Sequence, residues 1–440
     1  MAAMRQRHTN MIPLRAPGVY LEEVAPDIPP AFQTGVPVFV GFVDGTMPGN
    51  DQDAERATNI YQLTRWEQFA ERVGRPVPGG FLGYAVHGFF ENGGASCVVV
   101  PLREPQRRFT ALMQLFSEGG LLESVEDIDL VCVPDLVMEE FRGSRELIFE
   151  LQGEVLEHCQ RMGDRLAILD TLPMLHGGPG MRVEDEVSDI GQAIAHWQAL
   201  VAADGALYFP WLRVEPLPGA DHLPQGRALH GVAPVVEPPR PSASERVTIL
   251  VPPCGHIAGI YARSDAQIGV HKAPANEIVE GALDLEAHLT DGEQGVLNDV
   301  GVNCIRSFPR RGIRVWGART LSGLPNWRYV HVRRLFLTLT RWVEHHMRDV
   351  VFEPNGPPLW SRVRNRLGAY CYELFQRGAL KGRTPIEAFF VKCDAETNPL
   401  EVREAGQLIC EVGLAPIMPA EFVVVRITQS AAGTTATIPT

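Results

Sequence analysis

At 440 residues the chain has room for about three domains of ordinary size. Its 45% hydrophobic and 21% charged residues exclude disorder, collagen and low complexity as descriptions of the whole. The net charge of −13 is unevenly spread, and no apolar run reaches the roughly 20 residues a membrane-spanning helix needs.

The first residues, through Tyr20, carry basic side chains but no apolar segment after them, so they do not read as a secretory signal. The expectation is a soluble chain folded in the cytoplasm, without membrane anchoring. The eight cysteines form no C-x-x-C pair, and several sit in apolar runs, as Cys97 and Cys132 do. They are expected to be free, buried thiols.

In chain order, residues 1–32 are polar and proline-rich apart from a short strand over Val19–Val24. Gly35–Val43 is an apolar strand fit for a sheet centre. Thr64 with Glu67 offers a capping pattern for a helix through Val73. Phe81–Glu91 reads as a helix and Ala95–Pro101 as a strand. The alternation continues with a strand (Asp127–Val133), a helix (Ser144–Met162), a strand (Arg165–Asp170), a helix (Ser188–Ala203) and a strand (Ala206–Leu212). Such alternation predicts a three-layer α/β arrangement. Residues 215–241 hold seven prolines and read as a linker. After it come a strand (Arg246–Val251), a helix (Ile257–Ala266), adjacent strands (Val302–Ser307 and Gly312–Trp316) and long helices (Trp327–Arg348 and Leu359–Gly378). Strands over Ile386–Cys393, Gln407–Val412 and Glu421–Thr428 follow, and Gln429–Thr440 reads as a disordered tail.

Residues 302–383 hold sixteen lysines and arginines against four acids, a local balance of +12 that leaves −25 for the remainder. Such a block implies a positive surface facing an acidic partner, which could be nucleic acid or protein, unless it neutralises the rest of the chain internally. For nucleic acid it lacks interleaved stacking aromatics.

Enzyme signatures fail one by one. There is no G-x-x-x-x-G-K-[ST] cradle, no G-x-S-x-G elbow, and Glu344-His345-His346 lacks the spacing of a zinc-binding helix. Cys254 and His256 are the one thiol–imidazole pair near a helix start, but residues i and i+2 seldom meet in hydrogen-bonding geometry. No catalytic, metal or cofactor-binding residue is expected. Both chain ends carry a strand, and each must join a sheet, either its own or a neighbour's.

At this point the residues resemble the sheath proteins of contractile phage tails and injection systems. Pro17-Gly18-Val19-Tyr20-Leu21-Glu22-Glu23 is similar to the family's opening P-G-V-Y-x-E-E. The run Pro252-Pro253-Cys254-Gly255-His256-Ile257-Ala258-Gly259-Ile260-Tyr261-Ala262-Arg263 resembles its P-P-x-G-x-x-A-G-x-Y-A-R turn and helix. Gly269–Asn276 resembles G-V-x-K-A-P-A-N, and Asn303 through Trp316-Gly317-Ala318-Arg319-Thr320 resembles N-x-I-R…W-G-A-R-T. Tyr329–Arg334 and the Phe352-Glu353-Pro354-Asn355 turn look like its C-terminal region.

The resemblance implies a role, not a reaction. The expected fold is mixed α/β and multi-domain: a sheath core (33–100 and 245–420), an inserted outer α/β domain (101–244), an N-terminal arm (1–32) and a C-terminal arm and tail (421–440). The tube-facing part is expected at about 302–420. The implied subunit polymerises helically around an inner tube and contracts through relaxation of a metastable lattice. Its partners would be further copies of itself, the tube protein, and baseplate and terminator or cap proteins, with no direct nucleic-acid contact. The setting would be a phage tail or released injection particle assembled in the cytoplasm of a bacterial or archaeal host. The arms would exchange strands between subunits through Val19, Tyr20, Leu21, Phe422, Val423, Val424, Val425 and Ile427. Arg333, Arg334, Arg341, Arg348, Arg362, Arg364 and Arg366 would face the tube.

Overall fold

The computed structural model describes residues 32–44, 60–103, 108–174, 189–200, 205–217, 247–417, 423–430 and 433–437. Residues 1–32 and 33–440 form two separate units. The expected arm strand with Val19, Tyr20 and Leu21, together with Phe422, lies outside the described residues.

The strands in chain order are β1 (Pro37–Phe42), β2 (Tyr61–Leu63), β3 (Cys97–Leu102), β4 (Leu130–Cys132), β5 (Leu166–Asp170) and β6 (Gly205–Phe209). Then come β7 (Leu212–Val214), β8 (Ile249–Val251), β9 (Ala282–Leu285), β10 (Val302–Phe308), β11 (Gly312–Val315), β12 (Phe389–Lys392), β13 (Leu408–Leu414), β14 (Val423–Ser430) and β15 (Gly433–Thr437). The longer helices are α1 (Leu82–Glu91), α2 (Arg108–Phe116), α3 (Arg145–Met162), α4 (Asp189–Ala199), α5 (Cys254–Gln267), α6 (Asp291–Val300), α7 (Val330–His346) and α8 (Pro357–Gln376).

An eight-stranded sheet in the order β11-β10-β6-β5-β4-β1-β3-β2 carries the body. Its six inner strands run parallel, with β11 and β2 antiparallel at the edges. Every residue of β1, β3, β4, β5 and β6 is buried, as strands covered on both faces require. One continuous apolar core runs from Val36 through the sheet to Leu337 of α7. The mixed α/β class expected from the sequence is the one found.

Three expectations are corrected. The segment 101–244 is not an outer insertion. Its strands β4, β5 and β6 fill the middle of the main sheet, with β4 paired to β1 through Pro37↔Leu130 and Phe39↔Cys132. Removing them would expose both β1 and β10. The Thr64–Val73 helix does not form either; a single turn over Phe69–Val73 stands there, and Thr64 N–H donates to Gln68 Oε1 at 2.9 Å instead of joining a capping box with Glu67. The capping box occurs instead at α6, where Thr290 and Glu293 satisfy each other's backbone N–H groups. Finally, the tail is not wholly without structure, since β15 pairs antiparallel with β14.

A smaller four-stranded antiparallel sheet, β12-β13-β14-β15, closes the C-terminal region. Here β14 aligns along β13 from Leu408↔Gln429 to Leu414↔Val423, so within the single chain the C-terminal strand pairs with its own sheet.

Candidate functional site

The residues of the sequence motifs prove to be packing and hydrogen-bonding hubs. Gly255 and Gly259 lie four residues apart on α5, where a Cβ would sit 2.2 Å from the Ala85 carbonyl and 2.4 Å from the Phe89 carbonyl of α1. Only glycine lets the two helices approach so closely. Tyr261 Oη hydrogen-bonds Tyr208 Oη at 2.6 Å in the core. Arg263, at the motif's end, donates to the carbonyls of Asn92 (3.2 Å) and Ile278 (2.7 Å).

Asn303 plays the same part on β10. Its Nδ2 donates to the carbonyls of Arg319 (2.7 Å) and Leu207 (3.3 Å), and its Oδ1 accepts from Arg319 N–H at 2.7 Å. That fixes the Trp316–Thr320 stretch against the sheet. Asn355 ties the start of α8 down by donating to the Gln407 carbonyl and accepting from Trp360 Nε1, both at 2.7 Å.

Cys254 and His256 are not brought together into a reactive pair. Both are buried, the thiol beside Cys132 and Asp170 and the ring against Gly88 of α1. Burial pushes the Cys254 thiol up and His256 down to about 3, the opposite of an activated nucleophile and base. Among the described residues no cluster of three or more His, Cys, Asp or Glu could hold a metal ion, and no helix is long and apolar enough to cross a membrane.

The seven arginines expected on one surface divide sharply. In α7 the residues from Val330 to Val343 are all buried, including Arg333, Arg334 and Arg341. Arg334 Nη2 reaches Asp265 Oδ2 at 2.6 Å and Asp129 Oδ2 at 2.9 Å, while Nη1 reaches Asp265 Oδ1 at 2.9 Å. Burial works against its charge, but Asp265 and Asp129 hold the guanidinium above its ordinary value. Arg341 donates to the Gln33 carbonyl at 3.1 Å and lies 3.8 Å from Asp129. Arg333 stacks over the Trp327 ring at 5.1 Å. These three side chains are turned into their own subunit, so the expectation that they face a tube is withdrawn. The reason is that α7, although it carries polar side chains among its apolar ones, is covered by the rest of the chain from Val330 to Val343, so its arginines find their partners inside the fold.

Arg348, Arg362, Arg364 and Arg366 behave differently. Helix α8 buries one face through Leu359, Trp360, Val363, Leu367 and Cys371, a spacing that leaves Arg362 and Arg364 exposed and Arg366 half-buried. Arg362 meets Glu353 at 3.1 Å, Arg366 holds Asp349 through two contacts of 2.7 and 3.1 Å, and the exposed Arg348 lies 3.5 Å from Glu126. No carboxylate among the described residues pairs with Arg364. Charge counting alone does not reveal this division, because it does not register which face of a helix is covered.

Comparison with known proteins completes the picture. The chain matches the phage tail sheath protein central domain over residues 227–321 and the phage tail sheath C-terminal domain over residues 324–430. It is 27% identical over 177 residues to a tail sheath protein of Salmonella phage ViI, and 25% identical over 177 residues to a putative prophage major tail sheath protein of Pseudomonas aeruginosa (strain UCBPP-PA14). Those alignments cover 38% and 39% of this chain but only 26% and 44% of the relatives' own lengths. Solved structures align more fully. A chain of the anti-feeding prophage baseplate is 29% identical with a TM-score of 0.65, covering 92% of this chain and 97% of that one. The sheath complex of the extracellular contractile injection system PVC, in its contracted state, is 28% identical with a TM-score of 0.64, covering 95% of this chain and 98% of that one. Two sheath domains matched in sequence, and a fold shared almost end to end with solved contractile sheaths, support a contractile tail sheath protein.

Proposed function

We propose that the chain is the structural subunit of a contractile sheath, polymerising as a helix around an inner tube and shortening to drive that tube through a target envelope. The observation that carries the reading is the near end-to-end likeness to injection-system sheaths, including one solved in the contracted state. The work would come from relaxation of an extended lattice, and a body built on one continuous core is suited to moving as a rigid unit.

Two features support the assembly contacts. The strand β14, with Val423, Val424, Val425 and Ile427, pairs antiparallel with β13, and the same register can be satisfied by β13 of a neighbouring copy. The inner tube would be met by the exposed face of α8, with Arg362 and Arg364 in the lead and Arg348 and Arg366 beside them. Baseplate and cap proteins would close the ends of the polymer, inside a phage tail or a tail-like particle assembled in the host cytoplasm. No step of this role calls on an enzymatic site.

The test is to image the purified protein by negative stain beside a truncation lacking residues 421–440. Hollow cylinders from the full chain, and folded subunits without long cylinders from the truncation, are expected. Discrete globules from the full chain under every assembly condition would overturn the reading.

A further inference from the structure

All eight cysteines are free and buried, and two of them face each other across the C-terminal sheet. The antiparallel pairing of β12 and β13 runs from Phe389↔Leu414 to Lys392↔Glu411. Carried one residue further, the register sets Cys393 opposite Cys410. Opposed residues of an antiparallel pair point to the same side with Cβ atoms about 4.5–5.5 Å apart, within a small relaxation of the distance a disulfide spans. The two thiols lie close enough to influence one another's titration, and Cys393 Sγ receives a contact from Asn398 Nδ2 at 3.9 Å. The strands are tightly seated here, since the Phe390 ring lies over Gly413, where a Cβ would approach it to 2.1 Å.

We propose that Cys393 and Cys410 form a peroxide-sensitive thiol pair that closes to a disulfide and staples β12 to β13. The inference stands on this chain's own geometry and does not depend on the sheath reading. The pair is asymmetric in the way such chemistry needs. The Asn398 Nδ2 donor lies 3.9 Å from Cys393 Sγ, and a donor at that sulfur favours its thiolate. The Cys393 thiolate therefore attacks first, taking one oxygen of hydrogen peroxide to become a sulfenic acid and releasing hydroxide. The Cys410 sulfur then attacks the Cys393 sulfur, the S–O bond breaks, and the Cys410 proton leaves with the departing hydroxide as water. Two thiols and one peroxide give one disulfide and two waters. At 1% and 2% exposure the pair admits a small oxidant during local opening of the sheet more readily than a bulky one. Cys371 of α8, buried nearby, lies off the β12–β13 ladder and is not part of the pair.

The experiment treats the full native chain with hydrogen peroxide, unfolds it, alkylates it and maps the peptides. Alkylatable thiols should fall by two, and a linked peptide should join Cys393 to Cys410, in the wild type and in Cys371→Ser alike. Cys410→Ser should leave Cys393 as a sulfenic acid that a dimedone probe captures. The oxidised wild type should exchange its β12 and β13 amide protons about tenfold more slowly. Eight alkylatable thiols after treatment, or a linkage mapped to any other pair, would overturn the proposal; so would an oxidised pair with unchanged exchange in the two strands.

Discussion

Arg334 of α7 grips Asp265 of α5 with both ends of its guanidinium, at 2.9 and 2.6 Å, deep inside the subunit. Its Nη2 also reaches Asp129, which accepts the backbone N–H groups of Gly35 and Val36 at the entrance to β1. One side chain thus ties α7 to α5 and to the central sheet. The Tyr261 ring faces the same guanidinium at 4.9 Å. Any motion of α7 therefore carries the body with it.

Removing that cation should be costly. Arg334→Met leaves two carboxylates buried side by side, and losing one partner of a buried ion pair typically costs about 3–5 kcal/mol. Asp265→Asn should cost less, because Arg334 keeps Asp129. Urea unfolding followed by far-UV circular dichroism checks the order. An Arg334→Met midpoint equal to the wild type would mean the cluster contributes nothing to stability.

The crossing of α1 and α5 gives a second prediction. Gly255→Ala and Gly259→Ala each drive a methyl into a backbone carbonyl that cannot move without displacing α1. Overpacking of this kind costs about 1–3 kcal/mol. Gly153, inside α3, meets nothing within 4 Å, so Gly153→Ala should instead stabilise by about 0.5–1 kcal/mol. Thermal unfolding of the three variants side by side separates close approach from helix propensity.

These positions also mark where the sequence was legible. Gly255, Gly259, Asn303 and Asn355 stood out as motif residues because each makes a contact no other residue type reproduces, and the structure supplies the contact. The strands and helices of residues 127–212 were readable from periodicity, but their place in the main sheet was not. The pairing of Pro37 with Leu130 is a long-range fact that no local pattern carries. Helix α6 was missed although its Thr290–Glu293 capping box is a sequence signature, while the similar Thr64–Glu67 pattern produced none. The basic block misled most. Arg333, Arg334 and Arg341 count as surface charge in any composition, yet each finds its partner inside the fold.

Asp170 sets up a pH dependence. It is buried at the end of β5, where its Oδ1 accepts Cys254 N–H at 2.8 Å, and burial pushes its carboxyl from 3.8 up to about 7. A carboxyl whose folded value lies above its unfolded one contributes stability that is complete below about pH 4 and is lost as pH rises through about 7. Asp170→Asn keeps an acceptor for Cys254 and removes the charge. The variant should gain stability over wild type between pH 5.5 and 8, on the order of 2 kcal/mol at the upper end. Melting temperatures of both proteins at the two pH values test this, since the difference between them cancels every other titrating group. A difference that does not change with pH would show that Asp170 stays ionised throughout.

The α8 surface separates partner binding from stability. Arg362 and Arg364 are exposed, and the Arg362–Glu353 pair sits in solvent with 44% and 41% of its side chains accessible. Exposed pairs of this kind are each worth about 0–1 kcal/mol to folding. Arg362→Glu with Arg364→Glu should therefore unfold within about 1 kcal/mol of wild type while losing salt-sensitive association with separately purified inner tube, read by co-sedimentation at low and high ionic strength. Adding Arg366→Glu should bring a further modest loss of stability, because Arg366 also holds Asp349 and donates to the His346 carbonyl at 2.7 Å. If the double variant sediments with the tube as wild type does at both ionic strengths, the tube is met by another face, and α8 carries its charge for contacts between subunits.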